Sequence, residues 1–381
     1  MIVDARRAPL LPGLLAAALL FPACSPESAT SDTAGEEAYI LGERASDACA
    51  SVSDRWPALT AATDLTAASA AYEGALQDYI RDSDAITGRS DDAAITAALA
   101  GDEVAAIQPM IEVALIARIR AEIVGPEQLV EDPYAAWDEA YCLWSGPIKD
   151  LAAAAEFAGD PRWDSDIVQT VDIAFIEGHK AIDGEPPAAH IDDWVVPPAK
   201  QQIEKTLFRA LHRLVLAEAA AGVDDPAAAR RALERFQGLE DRLEGRNTPG
   251  IAVVEAMLAD PATYDRDELR RQIAVAFAKR TRKYCDEAVE TGELGVPTGY
   301  KGAVEGRTYQ ALITPDMAAQ LGADFDAGAY VTAWDDYLAA VKDGDAEAAA
   351  TLSVGLVEWN CAYQAALGIG ACTASDDEPE A

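Results

Sequence analysis

The feature that most constrains this chain is the return of apolar residues at i, i+3, i+4 and i+7 through alanine-rich stretches, from about residue 38 to residue 372. That period puts the apolar positions on one face of an α-helix, and alternating strand patterns are scarce. Gly, Pro and Asp-Pro steps cut the pattern into segments of approximately 36–56, 63–81, 91–125, 133–157, 164–182, 198–221, 226–243, 249–259, 266–290, 301–312, 326–342 and 345–366. We therefore expect an all-α fold: a helical bundle, or two duplicated antiparallel bundles packed together. Asp265 with Glu268 reads as a capping box ahead of the segment that starts at 266. The Pro-rich run 184–200 is the clearest interruption and sets a first bundle over 38–190 against a second over 191–372. A short echo, "AAWDEAY" at 135–141 and "TAWDDYL" at 332–338, has the form that a duplicated helical unit leaves.

The chain of 381 residues is 50% apolar, enough for one large core or two modest ones. Its net charge of −36 excludes a nucleic-acid binder, since neutralising phosphates needs a basic surface, and makes cations and basic partners the natural counterparts. The same charge serves solubility equally well. Arg6 and Arg7 precede an apolar run too short to span a bilayer, which ends at Phe21-Pro22-Ala23-Cys24. We read 1–23 as a lipoprotein-type signal peptide, Cys24 as the lipidated residue, 24–37 as a flexible tether and 373–381 as an acidic tail without order. Removing Cys24 leaves Cys49, Cys142, Cys285, Cys361 and Cys372, an odd number with no CxxC spacing. Cys361 and Cys372 are close enough to close a small loop, and Cys142 reads as a buried free cysteine.

Several helices carry an acid where the surface should be apolar. In "PYAAWDEAYCLW" Asp138 falls within the arc of Tyr134, Trp137, Tyr141, Cys142 and Trp144, while Glu139 points outside it. Glu112 lies among Ile111, Leu115, Ile116 and Ile119. Asp172 and His179 stand two turns apart on one side, and Glu305 shares a side with Tyr309 and Leu312. Glu204 and Glu218 fall in the arc of Ile203, Leu207 and Leu211, with His212 at its polar edge. A bare carboxylate on a buried face costs several kcal/mol, so each must be hydrogen-bonded, ion-paired or metal-bound. Inward carboxylates and imidazoles hold iron or manganese in helical bundles, although the paired Glu-x-x-His of di-iron sites is absent. The competing reading pairs each acid with Arg118, Lys205, Arg209 or Arg307. No GxSxG, HExxH or glycine-rich phosphate loop is present, so no chemistry beyond binding is expected. The tryptophans Trp137, Trp144, Trp334 and Trp359 read as packing core.

"AAWDEAYCLWSGP" from Ala135 and "AVEGRTYQALITPDMA" from Ala303 resemble the algal high-CO2-inducible, iron-assimilating secreted proteins and their bacterial lipoprotein relatives. The matching positions are Trp137, Asp138, Glu139 and Gly146, then Glu305, Gly306, Tyr309, Ile313 and Pro315. The resemblance implies an all-helical, duplicated, extracytoplasmic protein that binds iron for uptake. The chain departs from it at Trp334, whose tryptophan-acid helix follows the Glu-Gly segment instead of preceding it. The imelysin-like group, also helical and linked to iron, is the rival. Its Gly-x-His-x-x-Glu run has only Gly178-His179 and Asp183 as counterparts here. The expected function is thus iron or divalent-metal binding in the cell envelope, with Glu112, Asp138, Asp172, His179, Glu204 and Glu305 as ligands and a lipid anchor in the outer membrane. The alternative is a metal-free helical envelope lipoprotein that acts as a scaffold or meets another envelope protein.

Overall fold

Nearly every segment with the helical period forms a helix in the computed structural model, which describes residues 40–125, 132–184 and 189–372. The signal peptide, Cys24, the tether and the acidic tail expected from the sequence lie outside the described residues. The first half contains α1 (Asp47–Thr60), α2 (Leu65–Tyr72), α3 (Ala75–Thr87), α4 (Asp91–Ala100), α5 (Val104–Glu122), α6 (Pro133–Leu143), α7 (Lys149–Ala158), the short α8 (Pro161–Asp164) and α9 (Ile167–Lys180). Helix α5 is apolar on almost every side and is buried accordingly, against α3, α4 and α6. The single helix expected over 91–125 is broken at Gly101-Asp102-Glu103. There Asp102 takes a φ of 59°, a left-handed value that aspartate tolerates better than most residues.

The helix expected over 133–157 is also divided. Pro147 has no N–H to give to the ladder, and Gly146 leaves helical geometry (φ −94°, ψ −107°), so a π turn over Trp144–Ile148 joins α6 to α7. A Cβ at Gly146 would stand 2.5 Å from Ser53 Oγ, which shows how closely α1 crosses this turn.

A minimal antiparallel pair, β1 (Ile182–Asp183) with β2 (His190–Ile191), carries the chain towards α10 (Val196–Gly222). Pro197 and Pro198 sit in its first turn, where the missing N–H groups would be unpaired in any case. The second half continues with α11 (Pro226–Gln237), α12 (Glu240–Leu243), α13 (Thr248–Ala259), α14 (Arg266–Tyr284), α15 (Glu287–Thr291), α16 (Pro297–Leu321), α17 (Ala327–Asp343) and α18 (Ala346–Ala366). Asp265 caps α14 by accepting from the N–H groups of Asp267 and Glu268, both at 3.0 Å. Glu268 does not close the expected box; its carboxylate takes Arg271 and Gln272 instead. The segment expected over 301–312 extends to Leu321, because buried Ile313 and Met317 keep α16 packed across Pro315. The expected boundary at 190/191 falls just ahead of α10, which packs on α7 and α9 as well as on α11, α14 and α16.

One packing device occurs in both halves. Trp137 lies so close to Gly178 on α9 that a Cβ there would meet the indole at 2.1 Å. Trp334 lies likewise against Gly306 on α16, where the distance would be 2.6 Å. The residue after each glycine is basic and feels the charge of the aspartate after each tryptophan. Arg307 Nε donates to Asp335 at 2.7 Å, and the charge of Asp138 acts on His179. The matching sequences are Glu177-Gly178-His179 and Glu305-Gly306-Arg307.

Two disulfides lie among the described residues: Cys49–Cys142 ties α1 to α6, and Cys361–Cys372 ties α18 to the segment after it. The first corrects the expectation that Cys142 is a free core cysteine, for α1 brings Cys49 to it from 93 residues away. Cys285 is the free cysteine among the described residues. It is buried, with Asn360 Nδ2 donating to its sulfur at 3.2 Å, and burial pushes its thiol pKa up, which leaves it unreactive. No helix among the described residues is long and apolar enough to cross a membrane.

Candidate functional site

The six expected ligands are each engaged by other parts of the chain. Asp138, 0% exposed, accepts from the backbone N–H of Gly42 and of Arg44, both at 2.8 Å, and so fastens the lead-in to α1 over α6. The expectation for Glu139 was wrong. It is buried too, accepting from Ser46 N at 2.9 Å, Ser46 Oγ at 3.1 Å and Tyr79 OH at 2.7 Å. A helical wheel assumes one covered face, whereas the lead-in and α3 cover a second.

Glu112, 1% exposed, receives Arg235 through Nη2 at 2.7 Å and Nε at 3.0 Å, with Gln108 Nε2 on its other oxygen at 2.9 Å. Its cation is therefore Arg235 and not Arg118, which binds Glu122. Asp172 is partly exposed and accepts from Trp144 Nε1 at 2.8 Å and Lys149 Nζ at 2.7 Å. His179 lies edge-on to Tyr134, ring centres 5.8 Å apart; partial burial lowers its pKa while Asp138 pulls it up.

Glu204 and Glu305 are brought together as well, and what joins them is an ammonium group. Lys205 Nζ contacts Glu204 and stands 3.1 Å from Glu305, with Arg120 Nε on Glu204 at 2.9 Å. Burial disfavours the Glu204 charge, but Lys205 and Arg120 outweigh it and hold the carboxyl down at about 2. No group of three or more His, Cys, Asp or Glu side chains among the described residues is disposed to hold a metal ion. A carboxylate already bound to guanidinium, ammonium or peptide N–H offers a cation little, so the six residues do not fit a shared metal centre.

The arrangement most unlike ordinary core is a cleft bounded by α10, α14, α16 and the turn between α7 and α8, with a volume of about 530 Å³. His212 was expected at the polar edge of α10, yet it is 4% exposed, covered by α14 with Phe277 at 6.1 Å between ring centres. Neither imidazole nitrogen has a hydrogen-bond partner among the described residues, a deficit of about 1–3 kcal/mol for a buried polar group. Arg213 Nε donates to Asp164 Oδ1 at 2.9 Å, while its buried Nη2 has no acceptor among the described residues. Arg270 pairs with Asp316, whose other oxygen takes the Tyr363 hydroxyl at 2.5 Å. Burial first, then the charges of Arg213 and Arg270, push the His212 pKa down to about 3. Nothing in "RALHRL" announces this site, because its other walls come from distant parts of the chain on both sides, as at Asp160, Arg270 and Tyr363.

The sign of the His212 effect follows from linkage. The unfolded chain takes up a proton near pH 6.5, the folded one does not, so stability is full above that pH and falls as pH drops towards 3. Between pH 7 and pH 5 the loss from this residue is about 2 kcal/mol. His179 shifts in the same direction, so the decisive comparison is His212→Gln, which cannot titrate. Urea melts at the two pH values should show a clearly smaller acid loss in that variant, and equal losses would refute the assignment.

Compared with known proteins, the chain matches no family model, no curated sequence and no solved structure.

Proposed function

We propose that this protein is an extracytoplasmic helical scaffold or interaction protein that works without a metal ion. The observation that carries the reading is the neutralisation of the inward acids. Glu112, Asp172, Glu204 and Glu305 each meet an Arg or Lys, and Asp138 meets two backbone N–H groups. Iron delivery through these residues would need those contacts dismantled first. Two disulfides support an oxidising compartment, since such bonds do not persist in a reducing cytosol. The signal-peptide-like start and Cys24 support a lipid anchor in the same compartment. The net charge of −36 favours a basic partner surface over an acidic one.

Metal analysis tests the proposal. Protein expressed in iron-supplemented medium and purified without chelator should carry far less than one equivalent of iron, and added ferrous iron should leave its melting temperature unchanged. Retention of a full equivalent, with a melting temperature raised by several degrees on loading, would overturn it.

A further inference from the structure

We infer that the cleft around His212 and Arg213 is a binding site for a small organic anion with an aliphatic body, a carboxylate or a phosphate ester. Three features of the cleft each select one part of such a ligand. Its lining carries Arg213, Arg266 and Arg270 against Asp160 and Asp316, an excess of one positive charge among the lining residues, with Asp164 behind them pairing Arg213, in a chain whose net charge is −36. That balance suits a single anionic head. Arg270 is already held by Asp316, so the guanidinium groups left for the head are exposed Arg266 and Arg213, whose buried Nη2 has no acceptor among the described residues.

The second feature is His212. It is more than nine-tenths buried, it lines the cleft, and both of its nitrogens lack a hydrogen-bond partner among the described residues. A neutral imidazole offers one donor and one acceptor, a pair that a carboxylate oxygen and a neighbouring hydroxyl can satisfy together. Buried polar groups are nearly always satisfied, so an unsatisfied pair on a residue that lines a cavity points to a molecule that enters it. The third feature is hydrocarbon lining, supplied by Leu216 and Ala217 one turn along α10 and by Leu312 and Ile313 of α16. A volume of about 530 Å³ that sets apolar walls beside convergent polar groups is within the range of a small-molecule site.

The site is tested with the full chain by calorimetry, using decanoate, decyl phosphate, inorganic phosphate and decyltrimethylammonium as probes. Decanoate or decyl phosphate should bind saturably at one per chain, and the stronger of the two identifies the head group. Inorganic phosphate should bind at least tenfold more weakly, and the cationic amphiphile should not saturate. Arg213→Gln should weaken binding at least tenfold. Because that change also removes the Asp164 pair, Arg266→Gln, at an exposed position, provides a variant that keeps the fold. It should weaken binding severalfold with an unchanged melting temperature. In the wild type, the ring carbon signal of His212 should shift along the titration. Absence of saturable binding at millimolar probe, equal affinity for the cationic amphiphile, or undiminished binding in both arginine variants would overturn the inference.

Discussion

Loss of the Cys49–Cys142 bond, by reduction or as Cys49→Ser with Cys142→Ser, is expected to lower the unfolding free energy by about 4–5 kcal/mol. The two cysteines are 93 residues apart, so the bond denies the unfolded chain a large set of open conformations. It also holds α1 against α6 at the point where Asp138 and Glu139 receive the lead-in to α1. The bond at Cys361–Cys372 spans only 11 residues, and its removal should cost about 2–3 kcal/mol. Urea melts of the two double variants, with and without reductant, measure both. If the Cys49 and Cys142 variant lost less than 1 kcal/mol, or less than the Cys361 and Cys372 variant, the bond would not be acting on the unfolded chain as argued.

Arg235→Met should be nearly as damaging, at about 3–5 kcal/mol, because it strips the cation from Glu112 inside the protein. Arg235 is itself buried and reaches from α11 to Glu112 on α5 and to Glu218 on α10. Burial works against its charge, but Glu112 and Glu218 outweigh it and raise its pKa. Removing one partner of such a pair costs more than removing both, since the survivor is left charged and dry. The double variant Arg235→Met with Glu112→Leu should therefore recover a substantial part of the loss. Chemical unfolding of the single and double variants supplies the comparison, and a double variant weaker than Arg235→Met alone would contradict it.

The two results share a reason, which also marks how far the sequence could be read. Helical period is local, so the all-α fold and the burial of Glu112 and Asp138 are legible from a dozen residues around each. The partners are not. Arg235 lies 123 residues from Glu112, and Gly42 lies 96 from Asp138. A wheel drawn on one helix therefore reports that an acid needs a partner without choosing between an arginine and an ion. Glu139 and His212 were misplaced for the same cause: each lies beyond the main apolar arc and is buried by an element that the wheel does not contain. The break at Gly146-Pro147 was missed, for 133–157 was expected as one helix although Pro147 cannot donate to the ladder. The Pro315 position was misread because packing there overrides the local preference. The seats of Trp137 on Gly178 and Trp334 on Gly306 were legible in principle, for Glu177-Gly178-His179 echoes Glu305-Gly306-Arg307.

Helix α10 runs unbroken for 27 residues, roughly 40 Å, and helices from both halves pack along it. A joint that opens needs a few residues free to change their backbone angles, and no such break interrupts α10 where helices of both halves pack on it. Traffic into the cleft must then pass between side chains such as Arg266, on the nanosecond clock of exposed rotamers, and not wait for a jaw to swing. The His212 pocket is in that sense a keyhole in a beam.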